Sequence, residues 1–291
     1  MTNIKLPDLP TALEKGLRFE DDMRDNSILH VSDLAATIPG EGCPRQLWLR
    51  IHGVEKKELS AGQMLMFHHG KRIHEDLIPL LEVGLKDTEW EIYRVERQLK
   101  GMDITGTTDI IFRNIKDGSF IVGDFKSMRG NGFRYLDPNN AKPAHVLQVQ
   151  TYMYLCSVCA VCDPVMGLVF YVDREGQNAF QQRAVVRDDF AVEEAIRGAK
   201  GIIASSDVPS ILPPVIKTGK ETKTKGTPVY MKMPWNCDYC DYCDISCPGA
   251  LQKRDRDLGV VGHITAKGFI GTKEIPLEIA AQIQDELTIP F

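Results

Sequence analysis

The stretch GTTDIIFRNIKDGSFIVGDFKS, residues 106–127, decides the fold because it contains two apolar runs separated by turn-forming residues. The runs TDIIF and FIVGDFK are typical of strands, and residues 114–119 between them are typical of a turn. We therefore predict a β-hairpin. Since strand side chains alternate between faces, Asp124 and Lys126 share one face and Phe125 points to the other.

Each predicted strand carries one aspartate, Asp109 on the first and Asp124 on the second. Two carboxylates on neighbouring strands suit a hard cation such as Mg²⁺, which takes oxygen ligands and retains several waters. A lysine beside them, here Lys126, can position a water and stabilise charge on a phosphate. The alternative is a solvent-exposed hairpin, which does not explain why these charges share a face with Phe120 and Val122. We therefore favour a metal site.

Composition limits the class of protein. The chain has 291 residues, 43% of them hydrophobic, so it can bury a substantial core as one large domain or two small ones. A formal net charge of −5 argues against wholesale coating of nucleic acid but is compatible with a local basic cleft. Residues 1–16 lack the pattern of a signal peptide, and no apolar run approaches the ~20 residues that span a bilayer. We expect a cytoplasmic protein without membrane contact.

The apolar pattern predicts two short helices, a long helix, three strands, a buried helix, two strands and an amphipathic helix. The segments are 32–37, capped by Ser32, and 42–53, with Cys43 at its start; 60–85; 89–99 and the hairpin; 144–162; 166–174 and 179–187; and 188–205. This order predicts an α/β fold with a mixed central sheet flanked by helices. The long helix is expected to place these apolar side chains near one face: Met64, Phe67, Ile73, Leu77, Leu80 and Leu81.

We divide the chain into four segments: 1–57, polar and peripheral at its start; 58–205, the α/β core; 206–252, a connector and cysteine cluster; and 253–291, a tail. The connector is rich in proline and lysine. Its simplest interpretation is a solvated loop, and the alternative is a loop that contacts a nucleic-acid backbone beside an active site. The lysines concerned are Lys217, Lys220, Lys223 and Lys225.

Eight cysteines fall in three places: Cys43 alone, a middle triplet, and a C-terminal group. In a cytosolic protein a disulfide framework is not expected. The triplet, Cys156, Cys159 and Cys162, lies on the predicted buried helix, where a spacing of three residues turns successive thiols about 60° apart. We interpret these thiols as core packing, because free cysteine is among the most buried residue types.

With this order of elements, the chain resembles the PD-(D/E)XK nuclease superfamily. Asp109 matches the aspartate of the first motif, and Asp124-Phe125-Lys126 matches the second. His74 in GKRIHED, on the helix before the sheet, resembles the metal-facing histidine of RecB-like nucleases.

Gln148 and Tyr152 in QVQTY, on the helix after the hairpin, resemble the Gln-x-x-x-Tyr motif of the same nucleases. Positions i and i+4 share a helix face, which favours Gln148 over its neighbour Gln150. The resemblance implies that His74, Asp109, Asp124 and the Phe125 carbonyl hold Mg²⁺ or Mn²⁺. It also implies that Lys126 orients the attacking water and that Gln148 and Tyr152 place the scissile strand.

The cysteines narrow the resemblance. Cys43 in CPRQLWL and the C-terminal run PWNCDYCDYCDISCPG resemble the iron–sulfur RecB-like family, of which CRISPR-associated RecB-like exonucleases are members. This implies a 4Fe–4S clasp that joins the N- and C-terminal segments, although the same thiolates would also suit zinc. The C-terminal spacing departs from the family by one residue and by an extra thiol. The implied ligands are Cys43, Cys237, Cys240 and Cys247, with Cys243 as the substitute.

The activity that this resemblance implies is metal-dependent exonuclease cleavage of DNA, at single-stranded ends, in recombination, repair or phage DNA metabolism. The alternatives are a structure-specific endonuclease, a non-catalytic iron–sulfur subunit that binds DNA ends, and a zinc-ribbon interaction protein. The tail ends in Ile289-Pro290-Phe291, which resembles the C-terminus of bacterial single-stranded DNA-binding proteins. It could dock on a partner protein, and coincidence or simple packing is the competing interpretation.

Overall fold

The computed structural model describes residues 8–21, 25–176, 180–210, 212, 215–218, 227–232, 234–238, 240–243, 245–247, 257–265 and 268–271. The chain divides into two compact units. The first comprises Met1–Val54 and Glu58–Pro209, and the second comprises Glu55–Lys57 and Ser210–Phe291.

The first unit contains a sheet with helices packed against it. Its elements in chain order are α1 (Leu9–Asp21), β1 (Leu29–His30), a 3₁₀ helix (Val31–Thr37), α2 (Pro44–Ile51), α3 (Ala61–Gly84), β2 (Trp90–Gly101), β3 (Ile104–Asn114), β4 (Phe120–Met128), α4 (Gly130–Arg134), α5 (Pro143–Val158), β5 (Pro164–Asp173), β6 (Phe180–Val186) and α6 (Asp189–Ala204).

The sheet is mixed, as predicted. Its strands run in the order β1-β3-β4-β5-β6, with β2 paired to β3. The pairs β1–β3 and β4–β5 are parallel, whereas β2–β3, β3–β4 and β5–β6 are antiparallel. The parallel β4–β5 pair requires a crossover connection, and α5 provides it. This arrangement confirms the predicted α/β fold with a mixed central sheet flanked by helices.

The predicted hairpin is β3–β4, and its turn is built as the sequence indicates. The Asn114 side chain accepts the backbone N–H of Lys116 at 2.9 Å, which is an Asx turn. Gly118 has φ = 75°, a conformation that glycine adopts without steric cost. The two turn residues therefore fix the hairpin locally, before any tertiary contact is considered.

Helix α5 is the centre of the first unit. Its buried residues lie on every side, because it packs on β5, β4 and β2 as well as on the 3₁₀ helix and α6. A helix that is apolar all round belongs in a core, in agreement with the predicted buried helix. The close approach to β5 depends on Gly167, where an added Cβ would lie 2.2 Å from Val149 Cγ1.

Helix α3 confirms the predicted start but not the predicted apolar face. Ser60 caps it, and its hydroxyl accepts the N–H of Gln63 at 3.3 Å. Only Met64 is buried among the helix residues, whereas Phe67 and Leu80 are 55% and 67% exposed. At 100° per residue, Phe67 and Leu80 are about 140° apart, so one contact surface cannot cover both.

One prediction for the N-terminal region was wrong. The helix predicted to start at Ser32 is a 3₁₀ helix that begins at Val31, and the carboxylate of Asp33 accepts the N–H of His30 at 2.6 Å. The cap is therefore His30 and not Ser32. The polar segment before it contains α1, which contacts α3.

The second unit contains β7 (Val215–Thr218), β8 (Thr227–Lys232), α7 (Trp235–Asp238), β9 (Asp257–Thr265) and β10 (Gly268–Gly271). Its antiparallel sheet has the order β10-β9-β8-β7. The connector predicted as a loop therefore contains β7 and β8, and the predicted tail contains β9 and β10. Residues 289–291 lie outside the described residues. No helix in the described part of the chain is long and apolar enough to cross a membrane.

Candidate active site

The site lies where the β3–β4 ladder ends. Because β2 pairs along one edge of β3, both β1 and β4 must share the other edge. There β1 pairs with residues 104–105 and β4 with residues 110–113, so the edge between them is not taken by either strand. The carboxylate of Asp109 lies at this interruption and accepts the backbone N–H of Phe125 at 2.6 Å.

This hydrogen bond also bears on the predicted role of the Phe125 carbonyl. The N–H and C=O of one strand residue leave the strand on the same side. The carbonyl of Phe125 is therefore on the side of Asp109, as the metal hypothesis requires. The opposite edge of β4 at this position pairs with β5 through Phe170.

Helix α3 brings His74 to the same place. Its Nδ1 lies 3.5 Å from Asp109 Oδ2, and its ring centroid lies 5.5 Å from that of Phe125. The Phe125 ring in turn makes an edge contact with Phe170, at 5.7 Å between centroids. The imidazole is thus held between an aromatic surface and a carboxylate, which contrasts with the alternative of an unengaged surface histidine.

Asp124, Lys126 and Gln148 form a closed network behind Asp109. Lys126 Nζ lies 2.8 Å from Asp124 Oδ2 and donates to Gln148 Oε1 at 2.9 Å. The Gln148 amide donates to Asp124 Oδ1 and to the Tyr152 hydroxyl, both at 3.1 Å. Each polar atom of the Gln148 side chain is therefore engaged, which fixes the orientation of the amide. Gln150, the rival, instead bonds the Val186 carbonyl.

Glycine at position 106 lets Tyr152 approach β3. An added Cβ there would lie 2.9 Å from a ring carbon of Tyr152 and 2.5 Å from Val31 Cγ2. No side chain larger than hydrogen fits this contact without movement of its neighbours. Gly106, the first residue of the hairpin segment 106–127, thus permits close packing beside the site.

Burial sets the protonation behaviour of the site. Asp124 is 2% exposed, and this desolvation raises its pKa to about 6 despite the opposing charge of Lys126. Burial lowers the pKa of His74, but the hydrogen bond and charge of Asp109, with the charge of Asp124, outweigh it and leave that pKa raised. A positive charge placed between Asp124 and His74 would therefore lower the pKa of both groups.

The donor set fits a divalent cation in chemistry and burial. Asp124 Oδ2 is buried and lies 2.8 Å from Lys126 Nζ, while Oδ1 accepts from the Gln148 amide. Ionising a buried carboxylate is costly unless positive charge compensates it, and a divalent cation would add to the charge that Lys126 supplies. Within the described residues, no three His, Cys, Asp or Glu side chains converge closely enough to share one ion. Bound water would have to complete the coordination.

A cavity of about 300 Å³ opens beside His74 and Asp109. Its walls come from α3, β2, β3 and β4, and its lining also includes Glu75, Ile78, Pro79, Glu82, Val95, Glu96 and Phe125. It belongs to the same site, since three residues predicted to hold the metal, His74, Asp109 and Phe125, form part of its wall. The side of the site formed by His74 and Asp109 is therefore accessible from outside.

Two residues at the site gave no sequence signal. Glu96 lies in β2 opposite Asp109 and has φ = 45°, which is uncommon for a residue other than glycine. His145, one turn before Gln148, forms a hydrogen bond between its Nδ1 and the Tyr171 hydroxyl at 2.9 Å. Burial, with the charges of Lys126 and Lys142, lowers the pKa of His145 to about 3.

The cysteines and lysines predicted to lie elsewhere are described in part. Cys43 is the N-cap of α2, and its sulfur accepts the N–H of Gln46 at 3.4 Å. In the second unit the other cysteines follow consecutive turns, in which Cys240 N–H bonds Cys237 O and Cys243 N–H bonds Cys240 O. Cys243 also forms a backbone bridge with Cys247.

Among the lysines of the predicted connector, Lys217 is in β7, where only the backbone is described. The others, Lys220, Lys223 and Lys225, lie outside the described residues. Their proposed contact with DNA stays a prediction.

Comparison with known proteins gives remote likenesses only. No family model and no curated protein matches the chain. Among solved structures, a protein designated SSO0001 is 19% identical and has a TM-score of 0.49, over 84% of this chain and 99% of that one. An alkaline exonuclease from Laribacter hongkongensis is 12% identical with a TM-score of 0.44, over 62% and 87% of the two chains. A phage-related exonuclease from Haemophilus somnus 129PT is 14% identical with a TM-score of 0.38, over 62% and 92%.

Proposed function

We propose that this chain is a divalent-metal-dependent deoxyribonuclease of the PD-(D/E)XK type, which acts as an exonuclease at single-stranded DNA ends. The observation that carries the proposal is the network in which Lys126 bridges Asp124 and Gln148, at 2.8 Å and 2.9 Å. The Lys126 ammonium thus joins two motifs that are separate in the sequence, Asp124-Phe125-Lys126 on β4 and Gln148 on α5.

Each side chain has a role that its contacts support. Asp109, Asp124 and His74, with the Phe125 carbonyl and bound water, would hold Mg²⁺ or Mn²⁺. When bound, the ion supplies Lewis-acid polarisation of the scissile phosphate. Lys126 orients the attacking water and stabilises negative charge on the phosphate.

Gln148 keeps the Lys126 ammonium in place, because its carbonyl oxygen accepts from Lys126 while its amide group is anchored on Asp124 and Tyr152. Tyr152 is packed against β3 through Gly106 and therefore gives this anchor a fixed position. A rigid support of this kind maintains the geometry that hydrolysis requires. Preference for ends, and for single strands, is inferred from the resemblance of His74, Gln148 and Tyr152 to RecB-like motifs.

We further propose a 4Fe–4S cluster held by Cys43, Cys237, Cys240 and Cys247, with Cys243 as the substitute ligand. Thiolates are the ligands of such clusters. Consecutive backbone turns keep the segment from Cys237 to Cys243 compact, which favours cysteines that lie near one another in space. Protein purified without oxygen should contain iron and sulfide and absorb visible light. Stoichiometric zinc without iron would replace this proposal with a structural zinc site.

The nuclease proposal is tested with Lys126→Ala and a matched lysine control. Lys200→Ala removes a surface lysine whose partner, Asp103, is exposed. Wild type and both variants are incubated with Mn²⁺ and with end-labelled linear DNA or circular DNA, each single- and double-stranded. Wild type should shorten linear single strands from their ends and leave circles intact. Lys126→Ala should be at least about 10²-fold slower, and Lys200→Ala should match wild type.

Binding is measured in the same samples by fluorescence anisotropy, which separates loss of chemistry from loss of the complex. Lys126→Ala should retain DNA binding and its circular dichroism spectrum. Full activity of Lys126→Ala would refute the assigned site. Cleavage of circles by wild type would favour the structure-specific endonuclease, and binding without any cleavage would favour the non-catalytic subunit.

A further inference from the structure

The C-terminal end of α5 reverses the chain in a Schellman turn. The N–H of Val161 bonds the carbonyl of Cys156 at 2.9 Å, and the N–H of Ala160 bonds that of Ser157 at 3.0 Å. Ala160 has φ = 53°, the left-handed conformation that this turn requires. The helix predicted to continue to Cys162 therefore ends at Val158, and the last residues fold back along it.

This reversal brings together two cysteines that a continuous helix would separate. The N–H of Cys162 lies 3.5 Å from the carbonyl oxygen of Cys156. The two thiols interact and shift each other's pKa in opposite directions, upward for Cys156 and downward for Cys162. Cys156 is fully buried in the core, whereas Cys162 is only partly buried and precedes Asp163, whose side chain is 81% exposed. One thiol is thus sheltered and the other is accessible.

Cys159, in the same turn, is engaged differently. Its thiol donates to the carbonyl of Lys100 at 3.4 Å, on the end of β2. It therefore serves as a natural control within the turn. It also shows that three cysteines at a spacing of three do not act as one group.

We propose that Cys156 and Cys162 are a redox-active pair that forms an intramolecular disulfide when it reacts with a low-molecular-weight disulfide such as oxidised glutathione. The Cys162 thiolate attacks one sulfur of the reagent, whose S–S bond breaks, and one reduced glutathione leaves. Cys156, after losing its proton to solvent, attacks the Cys162 sulfur and displaces the second glutathione. Two protein thiols are oxidised, and the reagent is reduced to two thiols.

The order of attack follows from the surroundings of the two sulfurs. Interaction with the Cys156 thiol lowers the pKa of the Cys162 thiol against the opposing effects of burial and of Asp163. The same interaction, with burial, raises the pKa of Cys156. A lowered thiol pKa together with partial exposure is typical of reactive cysteines, and a sheltered neighbour is suited to resolve the mixed disulfide.

The test uses the reduced full-length protein. Folded wild type, Cys159→Ser, Cys162→Ser and Cys156→Ser are incubated with oxidised glutathione, quenched in acid, alkylated and mapped by mass spectrometry. Wild type and Cys159→Ser should give the same yield of a disulfide between residues 156 and 162. Cys162→Ser should give none. Cys156→Ser should accumulate a glutathione adduct on Cys162, because the resolving thiol is missing.

Two outcomes would overturn the proposal. One is a disulfide in wild type that joins Cys159 to either of the other two. The other is wild-type Cys162 that remains a thiol, and is fully alkylated, while cysteines elsewhere in the chain are oxidised. Because wild type and Cys159→Ser decide both points, the test does not depend on the folding of a variant at the buried Cys156.

Discussion

Asp124→Asn should stabilise the metal-free protein at neutral and alkaline pH and have little effect at acid pH. The reason is the burial of Asp124, which is 2% exposed, so that its carboxylate loses the hydration that it has in the unfolded chain. An ionised carboxylate in this position opposes folding, whereas an asparagine of the same shape carries no charge. The attraction of Lys126 offsets part of this cost but does not cancel it.

The size of the effect follows from the pKa of Asp124. Burial raises it from 3.8 to about 6, so the folded state binds a proton between these values and the unfolded state does not. Stability is therefore lost as the pH rises from about 4 to about 6, and the loss is complete above that range. A difference of about 2 pKa units corresponds to roughly 3 kcal/mol.

The assay is urea unfolding of wild type and Asp124→Asn in the presence of a chelator, at pH 4.5, 6 and 8. Asp124→Asn should gain roughly 3 kcal/mol over wild type at pH 8 and less at each lower pH. His74, whose pKa is also raised, is present in both proteins, so its main contribution cancels in the difference. A difference that is the same at all three pH values, or a variant that is less stable at pH 8, would refute the reasoning.

Adding Mn²⁺ to the same samples tests the metal assignment independently of cleavage. A ligand that binds only the folded state stabilises it by RT ln(1 + [L]/Kd). Wild type should therefore gain stability with Mn²⁺ at pH 8, and Asp124→Asn should gain much less. Equal gains in both proteins would place the bound ion elsewhere.

Three further predictions concern α5 and its surroundings. Gln148→Ala removes hydrogen bonds to three residues of the site and should slow single-turnover cleavage by about 10²-fold, whereas Gln150→Ala should match wild type. Gly167→Ala forces a Cβ to within 2.2 Å of a valine and should destabilise by about 1–3 kcal/mol in urea unfolding, whereas Gly201→Ala, with open space, should not destabilise. Ala160→Gly relieves the left-handed strain and should stabilise by about 1 kcal/mol, and a loss of stability would contradict the Schellman turn.

Local signals in the sequence predicted local structure correctly. The turn at Asn114 and Gly118 and the start of α3 at Ser60 each depend on contacts within a few residues. The buried character of α5 also follows from its composition alone. These features do not depend on distant parts of the chain, so the local sequence pattern was sufficient to predict them.

Features that depend on distant segments, or that use an unusual residue at a local position, were missed. The interruption beside Asp109 exists because β1 takes part of the β3 edge, and a two-residue strand leaves no recognisable pattern. The end of α5 was predicted too late because Ala160, and not glycine, adopts the left-handed conformation. The strands β7 and β8 were predicted as loop because proline and lysine surround short runs of β-forming residues. The candidate site itself, by contrast, was predicted from residues that the structure brings together.

The shared edge of β3 has a consequence for the order of folding. Residues 29 and 30 must reach residues 104 and 105 before the edge beside Asp109 has its final form, and β5 must pair with β4 before Phe125 is fixed. Long-range parallel pairings are slow to form, because loop closure precedes any favourable contact. The hairpin can thus form early, while its carboxylates acquire their buried surroundings only after the sheet is assembled. Assembly of the candidate site should accordingly be a late event in folding, and removal of the first thirty residues should impair it although none of its residues lies there.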